Sequence, residues 1–300
     1  MLENGIQKLF DSDKYKEYLN TMAKFYNYSY RNTLLILMQN PSASYVAGYT
    51  AWKNNFDRQV KRGEKAIKIL APAPYKTTVK RLEKDADGNT VEKEHEMTVN
   101  AFKVTGVFDI SQTDGKELPS ICEKLNGSYK DYDSFVDVIK SISPVPVSIE
   151  KIDSSANGYY SPIDKRIVVK EGLSEQQTLK TMIHEISHAL LHNPENVQES
   201  NRRTWEVQAE SIAYTVCQHF GLDSSDYSFG YIASWSSGKD IKELKASLNT
   251  IQNTASEIIS KIEQKQKEKQ KNSVLAELKN CKTHHISNVE IKTKKYELEV

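Results

Sequence analysis

Cysteine is scarce: Cys122, Cys217 and Cys281 are the only three, and no two fall at C-x-x-C spacing. That excludes a disulfide framework and a Cys-rich structural zinc site, and it suits a reducing compartment. No apolar run approaches the length that spans a bilayer. The first residues, Met1-Leu-Glu-Asn-Gly-Ile-Gln-Lys-Leu-Phe-Asp, lack the basic-then-apolar layout of a secretory signal, so a cytoplasmic protein with no membrane partner is expected. Net charge is nearly absent too, +1 on the formal count, which argues against a uniformly basic coat for nucleic acid. No internal repeat is visible.

What is present begins with His184-Glu185-Ile-Ser-His188, two imidazoles four residues apart with a carboxylate beside the first. On a helix these positions share one face, so both rings can hold a single Zn²⁺ while Glu185 faces the water to be activated. Five-residue patterns arise by chance, so the surroundings decide. Ser174 followed by Gln177 reads as a capping box, and Leu179, Met182, Ile183, Ile186, Ala189 and Leu190 have the spacing of a buried helix. The next helix is predicted from Arg202 to Phe220 with Gly221 as its stop. It carries Trp205, Ala209, Ile212, Ala213, Val216 and Cys217 on one stripe, with Glu206 and Glu210 one turn apart beside it. His192 shares the motif helix, yet eight residues of helix span about 12 Å, too far from His184 for one ion.

The arrangement resembles the gluzincins, in which the first acid of a Glu-x-x-x-Asp pair binds zinc and the second braces a zinc-ligating His. The resemblance implies Glu206 as third metal ligand and Glu210 as second-layer partner; Glu in place of Asp at 210 leaves a swap of the two open. Pro194 stands where the longer metzincin pattern has a His. Glu185 is then the catalytic base, and Tyr159, Tyr160 or Tyr214 is the candidate oxyanion donor. A His₂Glu donor set accepts Mn²⁺ or Co²⁺ as well as Zn²⁺.

Upstream, helices are expected from about Lys14 to Gln39 and around Trp52 and Phe56. Alternation from Ala66 to Leu70 then leads into a long hairpin with Asp87-Gly88-Asn89 at its tip and a returning strand through Val99, Phe102 and Val104. Between Lys53 and Lys84 there are ten Lys or Arg against three Asp or Glu, a local charge that attracts a polyanion. The order Tyr28-Ser-Tyr30-Arg31-Asn32, Tyr49-Thr-Ala-Trp52, Val60-Lys-Arg-Gly63-Glu64-Lys65 and Val107-Phe108-Asp109-Ile-Ser-Gln112 resembles the N-terminal single-stranded-DNA-binding domain of the ArdC antirestriction proteins. The zincin half is similar to the metallopeptidase domain that accompanies it there. Single-stranded DNA is thereby implied as a partner, with Tyr28, Tyr30, Arg31, Asn32, Trp52, Lys61, Arg62, Lys65 and Lys68 as candidate contacts. Stacking rings and basic side chains are the two ingredients such binding needs. The acidic insert from Glu83 to Glu96 departs from a uniformly basic surface.

The expected architecture is α+β. Residues 1–118 form a helix-plus-sheet ssDNA-binding module, 119–238 a zincin-like, gluzincin-type domain, and 239–300 a charged amphipathic helix with a weakly ordered tail beyond Lys271, where His284 and His285 face solvent. In the second domain a short sheet precedes the motif helix, with Ile167 to Val169 as the edge that pairs with an extended peptide. The expected function is a zinc metallopeptidase of unknown protein or peptide substrate, linked to ssDNA binding and serving antirestriction or the transfer of a mobile element. Two alternatives stand beside it: a non-catalytic ssDNA-binding antirestriction protein with a structural zinc, and a regulatory peptidase of the ImmA/IrrE type that cleaves a repressor.

Overall fold

The computed structural model describes residues 2–10, 12–84, 90–118, 132–192, 202–222 and 229–296, with side chains of the last helix described to Lys271. They fall into two compact units, Met1–Gly127 with Gln218–Gln252, and Ser128–Cys217 with Asn253–Val300. The units are therefore not contiguous in sequence, unlike the expected segments. The long helices that begin at Arg202 and Ile241 each contribute residues to both. The expected hairpin tip, the connecting region from Pro119 and Pro194 lie outside the described residues.

In the first unit, helices α1 (Leu2–Leu9) and α2 (Ser12–Lys24) bury Ile6, Leu9, Tyr15, Tyr18, Leu19 and Met22. Ser29 starts α3 (Tyr30–Gln39) by accepting from the Asn32 backbone N–H at 3.3 Å, which satisfies one of the helix's orphan donors. Strand β1 (Val46–Gly48) leads into α4 (Tyr49–Phe56), and β2 (Arg58–Val60) into β3 (Ile67–Pro72). The chain continues as β4 (Tyr75–Lys84), β5 (Thr90–Val99) and β6 (Phe102–Asp109), and a single 3₁₀ turn connects to β7 (Thr113–Gly115). A three-stranded antiparallel sheet has the order β1-β6-β3, and β2 pairs with β7. The β3–β6 ladder runs from Ile67↔Val107 to Pro72↔Phe102, and the β4–β5 ladder continues it without a register shift from Tyr75↔Val99 to Lys84↔Thr90. This is the expected long hairpin.

Side chains alternate across a strand, so one face of the sheet is apolar by sequence. Val46, Ile67, Ile69 and Val107 point into a core with Phe25, Ile36 and Ala43. At the junction of β6 and the 3₁₀ turn sits Asp109, 1% exposed. Its carboxylate accepts from the backbone N–H groups of Ser44, Tyr45 and Ser111 at 2.8, 3.0 and 2.9 Å and from the Ser111 hydroxyl at 2.6 Å. Burial alone would push this acid up, but those four donors outweigh it and hold its pKa below the ordinary value.

In the second unit, helix α5 (Tyr132–Ile142) precedes β8 (Val147–Glu150), β9 (Gly158–Ser161) and β10 (Arg166–Lys170). The sheet order is β8-β10-β9, with β8 parallel and β9 antiparallel to the central β10. Ile167, Val168 and Val169 are therefore not at an edge; they are 0%, 1% and 0% exposed, a continuous apolar run covered on both faces. Among the described residues the edge strand beside the motif helix is β9. Helix α6 (Glu175–Leu191) follows, started by Ser174, which accepts from the Gln177 N–H at 3.3 Å. It packs on β9 and β10 and buries Leu179, Met182, Ile183 and Ile186. Helix α7 (Arg202–His219) buries Val207, Ala209, Ile212, Ala213 and Val216 and ends at Gly221, whose φ of +70° is the left-handed conformation that glycine tolerates. Beyond the short α8 (Ile232–Ser236), α9 is traced as Ile241–Tyr296; Leu244, Leu248, Ile251, Ala255, Ile258 and Ile262 form its buried stripe. The segment beyond Lys271, expected as a weakly ordered tail, continues α9 as far as Tyr296, while its side chains, those of His284 and His285 included, lie outside what is described. Among the described residues no helix is long and apolar enough to cross a membrane.

Candidate metal centre

Helix α6 carries His184 and His188 on one face, and α7 brings Glu206 to it. The two Nε2 atoms are 3.0 Å apart, and each lies 3.6 Å from Glu206 Oε2. A tetrahedral ion with bonds of about 2.0–2.1 Å places its donors about 3.3 Å apart, so this triangle fits a divalent ion of that kind. The three ligand atoms lie within 4.8 Å of one another, the group among the described residues suited to a metal ion.

The rings are oriented from behind. His184 Nδ1 is 3.1 Å from Glu210 Oε2, and a carboxylate only accepts, so Nδ1 carries the proton and Nε2 presents its lone pair. For His188 the orientation runs through a second imidazole. His192 Nε2 is 3.2 Å from Gln208 Oε1 and His192 Nδ1 is 2.8 Å from His188 Nδ1. If Gln208 accepts from Nε2–H, a neutral His192 accepts at Nδ1 from His188 Nδ1–H, and His188 Nε2 is again a lone pair. Burial, with the nearby His188 and His184 adding to it, pushes His192 down to about 4, which keeps it neutral. Its ring stacks on Trp205 with centroids 5.1 Å apart and a 15° tilt.

Three acceptors thus converge, and a cation must sit among them. Without a metal that cation is a proton: burial pushes His184 down, but Glu206 and Glu210 outweigh it and lift its pKa to about 9. The two His rings hold Glu206 well below the ordinary carboxylate range. Glu185, 8% exposed, moves the other way, because burial raises it more than the neighbouring His rings and the Tyr160 backbone N–H lower it. Lys180, one turn before His184 on α6, has Nζ 3.9 Å from Glu210 Oε1.

These groups line a cleft of about 700 Å³, with Gly158, Tyr159 and Tyr160 of β9 along one wall. Gly158 makes the approach possible: a Cβ there would lie 2.5 Å from Thr181 Cγ2 and 3.5 Å from Glu185 Cγ. Of the tyrosines named as oxyanion donors, Tyr159 and Tyr160 line the cleft; Tyr214 is 1% exposed on the packed face of α7 and does not. Sequence reasoning missed Lys180, Gln208 and the role of His192. The i, i+4 spacing of His188 and His192 was the available signal, since it places a hydrogen-bonding ring beside a ligand that shares its helix face.

The nucleic-acid candidates divide differently. Trp52 is fully buried and donates Nε1–H to the Phe108 carbonyl at 2.9 Å. Tyr30 is buried beneath Arg31. Asn32 clamps β3, donating to the Leu70 carbonyl and accepting from its N–H, each at 2.9 Å. Tyr28 is half-buried, edge-on to Phe25. Trp52, Tyr30 and Asn32 are therefore framework and offer no face to a base. Arg31, Arg62, Lys65 and Lys68 are exposed, while Lys61 donates to the Ser111 carbonyl and sits 3.7 Å from Asp114.

Comparison with known proteins follows the same two-part organisation. Residues 2–108 match the N-terminal domain of anti-restriction factor ArdC, and residues 142–217 match the IrrE N-terminal-like domain. An uncharacterized protein of Bacillus anthracis is 30% identical over 287 residues, covering 85% of this chain and 49% of that protein. The chain thus spans about half the length of that curated relative. The Mn(II)-bound crystal structure of the antirestriction ArdC protein from R388 plasmid shares the fold, with a TM-score of 0.52 at 15% identity over 88% of this chain and 97% of that one. Its metal-free structure gives 0.45 at 20% identity over 77% and 84%.

Proposed function

Because the chain carries the N-terminal domain of the ArdC anti-restriction factors followed by an IrrE N-terminal-like domain, we propose that it is a metal-dependent peptidase joined to a single-stranded-DNA-binding domain, acting in antirestriction or in transfer of a mobile element. The observation that carries the peptidase half is the convergence of His184, His188 and Glu206 beside a buried Glu185 in an open cleft. A divalent ion held there supplies Lewis-acid polarisation of a scissile carbonyl and makes water more acidic. The donor set fits Zn²⁺, and the Mn(II) in the R388 relative favours testing that ion as well.

Glu185 is the proton carrier in this reading. Its raised pKa brings it nearer the operating pH, so it can take a proton from water and return it to the leaving amine. Glu210 and His192 hold the ligand rings in the ligating tautomer. The free edge of β9 offers backbone groups to an extended peptide, and the Tyr159 or Tyr160 hydroxyl serves as donor to the developing oxyanion.

The test is Glu185→Gln in the full chain. Metal content and oligonucleotide binding are expected to persist while peptide hydrolysis falls by about 10²–10⁴-fold. Equal turnover in both proteins would end the peptidase reading. The antirestriction activity in the R388 relative's name favours a second reading, a DNA-coating protein whose metal stabilises the fold. Protection of incoming DNA by Glu185→Gln at the parent level would select it. A regulatory peptidase acting on one repressor, suggested by the IrrE-like match, would instead lose its effect with Glu185→Gln and be indifferent to added single strands.

A further inference from the structure

With Trp52, Tyr30 and Asn32 committed to the framework, the sheet itself shows where rings remain free. In the β1-β6-β3 sheet, Val46, Ile67, Ile69 and Val107 face the core. The alternate residues face away: Lys68 and the half-buried Leu70 on β3, paired with Gly106 and Val104 on β6, then Phe102 and the half-buried Phe108 along the same strand. Phe102 is 60% exposed and Val104 66%, at the end of the strand away from Val107, which enters the core from the other face. At the far end Tyr49, 53% exposed, packs edge-on to Phe108 with centroids 6.3 Å apart and so extends the row. Exposed apolar rows of this kind mark interaction surfaces.

We propose that this uncovered sheet face is the platform on which single-stranded DNA lies, with bases on Phe102, Phe108 and Tyr49. The inference rests on the reading of this unit as an ssDNA-binding domain and assigns its surface. Charge complementarity selects the occupant. Lys68 projects from the same face, and Lys53 follows Tyr49 by one turn of α4; among the described residues no carboxylate pairs with either. Exposed rings beside lysines stack unpaired bases while the lysines follow the phosphates, whereas a duplex hides its base faces. The acidic residues of the hairpin lie in the β4–β5 ladder, where Glu96 and Glu92 pair with Lys76 and Lys80 at 3.4 and 3.1 Å. That pairing keeps the distal hairpin from contributing net positive charge.

The experiment is fluorescence anisotropy of a labelled oligo-dT with the full chain, comparing the parent with Phe102→Ala, Phe102→Leu, Tyr49→Ala, the double alanine variant and Lys68→Gln, each checked for parent-like circular dichroism. Each alanine change is expected to weaken binding by about fivefold or more, and Phe102→Leu nearly as much, since it keeps apolar bulk but loses the ring. Lys68→Gln should reduce the slope of log affinity against log salt by about 0.7. If the parent binds and every variant stays within about twofold of it, the platform is wrong and the DNA-binding reading stands. If the parent binds no oligonucleotide, both fall. If the double variant keeps its affinity but changes a self-associating species to a monomer in light scattering, the face joins two copies of the chain and the proposal is overturned.

Discussion

Replacing Glu206 and Glu210 one at a time by Gln separates ligand from orienting partner, which the spacing of two acids one turn apart leaves undecided. Glu206 Oε2 lies 3.6 Å from both Nε2 atoms, whereas Glu210 Oε2 is 3.1 Å from Nδ1 of His184 on the far side of the ring. Apparent binding of about 10–16 kcal/mol shared over four zinc ligands assigns about 2.5–4 kcal/mol to each, so Glu206→Gln should lower affinity by about 10²–10³-fold. Glu210→Gln keeps an acceptor for Nδ1–H and removes only charge, so about a tenfold loss is expected, at the lower end of the range for outer-layer partners. Lys180, 3.9 Å from Glu210, adds to that loss because its charge then faces the metal without its carboxylate. Competition against a chromophoric chelator at fixed pH, for Zn²⁺ and Mn²⁺ in turn, measures both constants. A larger loss in Glu210→Gln than in Glu206→Gln would refute the geometric assignment and swap the roles.

Four further outcomes follow from the same geometry. His192→Leu should weaken metal binding by about 10–100-fold, while His192→Gln, which keeps an acceptor for His188, should recover part of it in the same competition assay. His184 has its folded pKa raised from 6.5 to about 9, so in metal-free protein its contribution to stability is fully present below pH 6.5 and lost as pH rises through about 9. Metal must displace that proton, so calorimetry in buffers of different ionisation heat should count about one proton released per ion near pH 7; a count near zero contradicts the protonated site. Asp109→Ala should cost at least about 3 kcal/mol in urea unfolding, because it leaves buried N–H groups without an acceptor. The lowered pKa of Asp109 means its contribution is present above the unfolded value near 3.8 and is lost as pH falls through the folded one. Gly158→Ala should cost about 1–3 kcal/mol and reduce turnover further, since the added Cβ presses on Thr181 and toward Glu185.

The candidate metal centre was more legible than the candidate DNA-binding surface, and the reason is range. His184, Glu185 and His188 sit on one helix whose start at Ser174 and apolar stripe are local signals, so their shared face follows from helical geometry alone. Glu206 requires only that the next helix pack on the first. Trp52 and Tyr30, by contrast, stand beside basic residues in the sequence, and nothing local distinguishes a stacking ring from a buried one. Trp52 is internal because its Nε1–H reaches the carbonyl of Phe108, fifty-six positions away, a pairing that exists only once β1 and β6 have met. Asn32 is internal for the same kind of reason, since its partner is the backbone of Leu70.

The same limit explains the strand placements. Alternation identifies a strand with two unlike faces but does not say whether a second layer covers the polar-looking one. Phe102 and Val104 read as ordinary strand residues, yet the layer that covers Ile67, Ile69 and Val107 lies on the other side of the sheet. Ile167 to Val169 shows the converse: three consecutive apolar residues are a two-faced pattern, the mark of a central strand, and assigning them to an edge overlooked that Tyr159 and Tyr160 alternate with exposure beside the cleft. At Gly158 strand β9 lies so close to the motif helix that the Thr181 methyl stands where a Cβ would be, so the approach requires glycine. Where that glycine falls marks the strand that lies against the helix, and the position of Glu185 beside the β9 wall of the cleft depends on the same contact.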